Sequence, residues 1–172
     1  MKKVIFMLGI FGLLGCNASQ GQNSFIEPEP SDWVEWIKPV REYMYYRTQA
    51  VLQNDVQVLW DRYPLLESSS SRQNGVNTEK YEVESLNDSF KLIDANFSEE
   101  GYERIKVKQL SDQEAVILVH GGIGYLRDDF EESGGEILIE LYVEEKDHHW
   151  TVVKTDEYTL EEYKEWIKGR IP

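Results

Sequence analysis

"EAVILVH", residues 114–120, and "EILIELYVEE", residues 136–145, decide how this chain folds. In the second, Ile137, Ile139, Leu141 and Val143 recur at every other position, the period of a strand with one buried face. The first is a nearly continuous β-branched run, consistent with a central strand covered on both faces. On its N-terminal side "YERIKVKQL", residues 102–110, sets Ile105 and Val107 against Arg104, Lys106 and Lys108. On the C-terminal side "HWTVVKTDEY", residues 149–158, supplies the last strand, with Ser111-Asp112 and Lys146-Asp147 as turns. "HGGIGYLR", residues 120–127, lacks the third glycine of a dinucleotide fingerprint and any following helix, so it reads as a bulge or sharp bend in the sheet. The basic row Arg104, Lys106 and Lys108 has two readings: a seat for an anion, or cross-strand pairing with Glu140 and Glu144.

Helical spacing dominates the chain before these strands. Asp32 with Glu35 three residues later has the form of a capping box opening "WVEWI". Pro39 is expected to break or kink that helix. "PVREYMYYRTQAVLQ", residues 39–53, resumes it with Val40, Tyr43, Met44, Arg47, Ala50 and Val51 on one side. Asn54-Asp55 then caps a short helix "VQVLWDRY", which Pro64 stops, and "NTEKYEVESL", residues 77–86, adds a further turn or two. "ESSSSRQNG", residues 67–75, is a loop within the domain. At the far end Thr159 and Glu162 form a second capping box before "LEEYKEWIKG", whose Leu160, Tyr163, Trp166 and Ile167 make an apolar side expected to dock. Helices first and an antiparallel meander afterwards define an α+β layering.

"RTQAVLQNDVQVLWDRYP", residues 47–64, followed by the strands and the closing "WTVVKTDEY", resembles the nuclear transport factor 2-like superfamily over roughly residues 38–158. Arg47, Ala50, the Asn54-Asp55 turn, Leu59 and Tyr63 carry the likeness. It implies a curved antiparallel sheet of about four to five strands wrapped around helices as a cone, with a cavity that hosts isomerases, dehydratases and many non-catalytic binding modules. Catalytic members use carboxylates, tyrosines or histidines inside the cone. Here Tyr46, Trp60, Tyr63, Asp94 and His120 are the residues expected to line it, the last two at strand ends. No motif assigns any of them a catalytic role, and core packing explains each equally well.

The N-terminus carries a separate signal. Lys2 and Lys3 precede an uncharged stretch from Val4 to Leu14, which is shorter than the roughly 20 residues a membrane helix needs and fits an export signal. Leu13-Leu14-Gly15-Cys16 resembles the bacterial lipoprotein signal, in which the cysteine is lipidated and the bond before it cut. The resemblance implies residues 1–15 as signal peptide and Cys16 as an acylated N-terminus. Two or more acyl chains hold a protein stably on a membrane. Residues 17–30, "NASQGQNSFIEPEP", read as the flexible end of a 16–30 tether, reaching on the order of 45 Å at about 3.4 Å per residue. Residues 31–172 then form one domain with one core. Cys16 is the chain's single cysteine, so an intramolecular disulfide is excluded.

With 18 basic and 32 acidic residues, formally −14, the chain repels phosphate backbones, and no nucleic-acid partner is expected. Metal and cofactor motifs are absent as well. His148-His149 would point to opposite faces of a strand, and "DDFEE", residues 128–132, lacks the alternating acids and glycine of a calcium loop. The sequons at Asn17, Asn87 and Asn96 carry no weight beside a bacterial signal. The reading that results is a non-catalytic accessory or binding lipoprotein at the outer face of the cytoplasmic membrane. Its partner would be a protein or cell-envelope component, with a homodimer left open. The alternative is a small-molecule-binding protein or isomerase/dehydratase-like enzyme using the cone cavity.

Overall fold

A computed structural model describes residues 24–68, 75–88, 90–99 and 105–169. Cys16, the signal stretch and Arg104 lie outside them. Among the described residues four helices and five strands follow in order: α1 (Trp33–Gln53), α2 (Gln57–Trp60), a 3-10 turn (Pro64–Ser68), α3 (Thr78–Asn87), β1 (Leu92–Ser98), β2 (Ile105–Gln109), β3 (Glu114–Arg127), β4 (Glu132–Lys146), β5 (His149–Glu157) and α4 (Leu160–Lys168). This is the expected α+β architecture, helices packed on an antiparallel sheet with a short C-terminal helix. Among the described residues no helix is long and apolar enough to cross a membrane.

The sheet runs β1-β3-β4-β5, and β2 pairs with β3 beside β1. β3 is therefore central: its first half takes β2, its second half takes β1, and β4 runs along its whole other edge. Its pairing with β4 is regular from Glu114 to Leu126, so the "HGGIGYLR" stretch is continuous ladder without a bulge. The glycines serve close approach instead, since a Cβ on Gly121 would sit 2.7 Å from the Ser98 carbonyl oxygen of β1. Bulges fall elsewhere, in β1 between Leu92 and Asp94 and where β5 passes Tyr142 and Val143 of β4. The β4–β5 hairpin turns on Asp147 and His148, both at positive φ (53° and 61°), one residue later than the turn read from sequence. That pair of left-handed residues matches the twist of the strands it joins.

Alternate residues of β3 and β4 face the helices. Ala115, Ile117, Val119, Ile123 and Tyr125, with Ile139, Leu141 and Val143, share one cluster with Ile37, Val40, Met44, Val51 and Leu59. Each fully buried aliphatic side chain there contributes about 1.5–3 kcal/mol. Val116, Leu118 and Leu138 are buried on the opposite face, as a strand covered on both sides requires. Because β2 and β4 flank β3 on opposite edges, Lys106 and Lys108 are not cross-strand neighbours of Glu140 and Glu144. Glu140 instead accepts from the hydroxyls of Tyr142 and Tyr158 at 2.8 Å each.

Several helix boundaries differ from expectation for local reasons. α1 runs through Pro39 without a break, its neighbours Ile37 and Val40 buried and the proline itself buried. Burial of that face offsets the missing hydrogen bond, which in an exposed helix costs about 3 kcal/mol. Asp32 makes no side-chain cap: its backbone is already helical (φ −96°, ψ −9°) and its carboxylate accepts from the Ser31 hydroxyl at 2.8 Å, while Glu35 accepts from the Trp150 indole at 2.8 Å. Asn54 closes α1 in the left-handed conformation, and the Asp55 N–H returns to the Ala50 carbonyl at 2.9 Å. The helix at 56–63 shrinks to Gln57–Trp60, and Pro64 starts the 3-10 turn rather than ending an α-helix. α4 carries the full capping box of Thr159 and Glu162. Tyr163 and Trp166 pack on His120, while Leu160 is exposed. Ile26 exchanges both backbone hydrogen bonds with Val107, so the last residues before α1 are held against the edge of β2.

Candidate functional site

The concave side of the sheet meets α1 and α3 in a buried polar cluster. Tyr43 and Arg47 lie four residues apart on α1, so both point from one helix face. Glu79 and Glu82 stand three apart on α3, and Thr155 and Glu157 two apart on β5, opposite Leu141 and Ile139. Arg47 is 3 % exposed. Its Nε donates to Glu82 Oε2 at 2.6 Å and its Nη2 to Glu157 Oε2 at 2.8 Å. Tyr43 donates to Glu79 Oε1 at 2.9 Å, Thr155 Oγ1 donates to the same oxygen, and Tyr125 donates to Glu82 Oε1 at 3.1 Å. One guanidinium thus faces three carboxylates.

That imbalance sets the electrostatics. Burial pulls the Arg47 guanidinium down, and Glu157 and Glu82 more than reverse it, leaving its pKa well above the ordinary value. Burial raises the Glu157 carboxyl, and Arg47 only partly opposes it because Glu82 and Glu79 push the same way. The Tyr43 and Tyr125 phenols are raised by burial first and by their carboxylate neighbours next, so both stay neutral. Arg47 Nη1 is buried without a hydrogen-bond partner. General acid–base chemistry needs a carboxyl within hydrogen-bond reach of a ligand. Here Glu79 and Glu82 accept from the protein's own donors, and Glu157 is clamped by Arg47.

The residues expected to line the cone separate into two groups. Tyr63 is buried at 2 % exposure, in edge contact with Tyr43 and Tyr46, the ring centroids 6.1 Å apart in each case. Tyr46 and Trp60 are half-buried against the same core. The Tyr63 hydroxyl and Trp60 Nε1 are buried with no partner. Asp94 and His120 do not join them. Asp94 pairs with Leu126 and is exposed on the face turned from the helices, where its carboxylate caps its own Ala95 N–H at 2.8 Å. His120 lies mid-strand opposite Leu138 on that same outer face. Its Nε2 is 3.1 Å from the Tyr163 hydroxyl, which in turn donates to Glu136.

Among the described residues no cluster of three or more His, Cys, Asp or Glu could hold a metal ion. His148 sits in the hairpin turn 3.6 Å from Glu145, whereas His149 opens β5 3.6 Å from Glu42. The pair is split by the turn rather than by strand alternation. Sequence reading did not single out Glu79, Glu82, Glu157 or Tyr125. A signal existed for the cluster: Arg47 is a charged residue inside the apolar stripe of α1, and a buried cation requires buried anions.

No family model matches the sequence, and no curated relative matches it either. Solved structures do resemble the fold. Aln2 from a Streptomyces species superposes with a TM-score of 0.53 at 8 % identity, covering 84 % of this chain and all of that one. A nuclear transport factor 2-like protein of unknown function from Shewanella oneidensis gives 0.41 at 15 % identity, covering 75 % of this chain and 98 % of its own. A putative scytalone dehydratase from Novosphingobium aromaticivorans gives 0.44 at 14 % identity, over 75 % and 87 % of the two chains. At these identities the likeness is one of fold: α-helices on an open antiparallel sheet, an architecture that serves both binding modules and enzymes.

Proposed function

We propose that this chain is a lipid-anchored binding module of the bacterial cell envelope, held at the outer face of the cytoplasmic membrane through Cys16 and acting by contact rather than catalysis. One observation carries the non-catalytic part: the space between α1, α3 and the sheet is occupied by the protein's own side chains. Tyr43, Leu59, Tyr63, Leu66 and Tyr125 are all at or below 2 % exposure, the Tyr43 and Tyr125 hydroxyls are bonded to Glu79 and Glu82, and Arg47 is bonded to Glu82 and Glu157. The anchor rests on the Leu13-Leu14-Gly15-Cys16 motif and its basic, apolar lead. In a bacterial host the wild-type chain should take up labelled fatty acid and partition into detergent, and Cys16→Ala should do neither. Equal partitioning of the two would overturn the anchor.

A second reading, a small-molecule site in the cone, is favoured by the unpartnered Nη1 of Arg47 beside the raised carboxyl of Glu157. Native mass spectrometry of the chain purified from its host tests it. A retained organic ligand that is lost in Arg47→Lys would favour this reading over the first.

A further inference from the structure

A groove of about 390 Å³ lies between the segment Ile26–Glu29, the start of α1 and the end of the sheet that carries β2, the β2–β3 turn, the end of β4 and the start of β5. Its volume falls within the roughly 300–1,000 Å³ typical of ligand sites. Ile26, Pro28, Trp36, Val107 and Trp150 form the apolar part of its walls. The two indoles pack with centroids 5.0 Å apart and planes tilted by 40°. Among the described residues, every ionisable one lining the groove is a carboxylate: Glu27, Glu29, Asp32, Glu35, Asp112 and Glu145. Among the described residues Glu27, Glu29, Asp32 and Asp112 have no ion-pair partner, and Glu145 lies 3.6 Å from the imidazole of His148, which is outside the lining.

Two physical preferences converge on one ligand chemistry. Indole faces attract cations within about 6 Å of the ring centroid. An anionic rim without basic residues attracts cationic ligands and repels acidic ones. The groove also runs beside a strand edge, where Ile26 alone pairs with Val107, and such a shelf suits an extended chain better than an isolated ion.

We propose that this groove docks a peptide segment bearing lysine or arginine side chains, one of them seated against Trp36 and Trp150 and its neighbours over the carboxylate rim. The proposal rests on the binding-module reading and names the chemistry of its partner. It does not depend on the anchor.

Tetra-L-lysine, titrated into the full-length chain in non-ionic detergent by calorimetry and by nuclear magnetic resonance, is the probe. The expected result is saturable binding that moves the Trp150 indole signal and weakens as salt screens the rim. Glu29→Gln with Asp112→Asn, both exposed and outside the core, should weaken binding about fivefold. Glu131→Gln with Glu161→Gln removes the same charge from the β3–β4 turn and α4, neither of which lines the groove, and should leave the affinity within about twofold. Equal losses in the two double variants would show attraction to net charge alone and overturn the groove. So would equal binding of tetralysine acetylated on its side-chain amines, or no movement of the Trp150 signal. A chain that fails here yet still partitions into membranes loses the groove and keeps the anchor, whereas one that binds tetralysine but stays soluble loses the anchor alone.

Discussion

Replacing Arg47 by methionine tests the buried cluster most directly. The guanidinium is the cluster's cation, bonded to Glu82 and Glu157 at 2.6 and 2.8 Å, with Glu79 close by through Tyr43 and Thr155. Methionine fills much of the same space and leaves three carboxylates without a counter-charge. Breaking a buried ion pair from one side costs about 3–5 kcal/mol, because the surviving charge stays desolvated. With a urea slope of about 1–3 kcal/mol per molar, the unfolding midpoint should fall on the order of 2 M.

The loss should also depend on pH in a definite direction. Glu157 titrates above its unfolded value in the folded wild-type chain, so its protonated form is favoured by folding. The stability it contributes is present in full below the unfolded carboxylate pKa and is lost as pH rises through the folded one. Methionine removes the influence that lowers the folded pKa and widens that window upward. The deficit of Arg47→Met should therefore be larger at pH 8 than at pH 5, read from urea melts followed by tryptophan fluorescence. A loss under about 1 kcal/mol, below the cost of uncovering a buried charge, would refute the reasoning. An equal deficit at both pH values would refute the protonation argument.

Tyr63→Phe should leave stability unchanged or raise it by up to about 1 kcal/mol, because the hydroxyl it removes is buried without a partner. A loss above that in thermal melts would mean the hydroxyl is bonded in solution. Gly134→Ala should destabilise by more than about 1 kcal/mol, since Gly134 sits at φ 126° and a Cβ there would lie 2.1 Å from the Ile123 carbonyl oxygen. Gly135→Ala, whose Cβ meets nothing within 4 Å, is the matched control and should stay near wild type in the same melts.

Local periodicity determined a large part of this protein. The alternation in residues 136–145 and the β-branched run of 114–120 place two central strands, the α1 stripe places the long helix, and Thr159 with Glu162 places the start of α4. These signals are short-range, because side-chain direction repeats every two residues in a strand and every 3.6 in a helix. β1 escaped that reading, since its exposed Ile93, Asp94 and Asn96 interrupt the pattern and its partner is the far half of β3.

Tertiary structure alone decided which groups meet. Asp94 and His120 look as suited to a cavity as Tyr46 or Tyr63 until strand pairing puts them on the outer face. Glu35 has the sequence of a helix cap and becomes a partner of Trp150, 115 residues away. Arg47 meets Glu157 across 110 residues only because β5 folds back under α1. Periodicity gives each side chain a direction relative to its own element, but which charge it faces depends on the register between distant elements, and that is fixed only when the whole core packs.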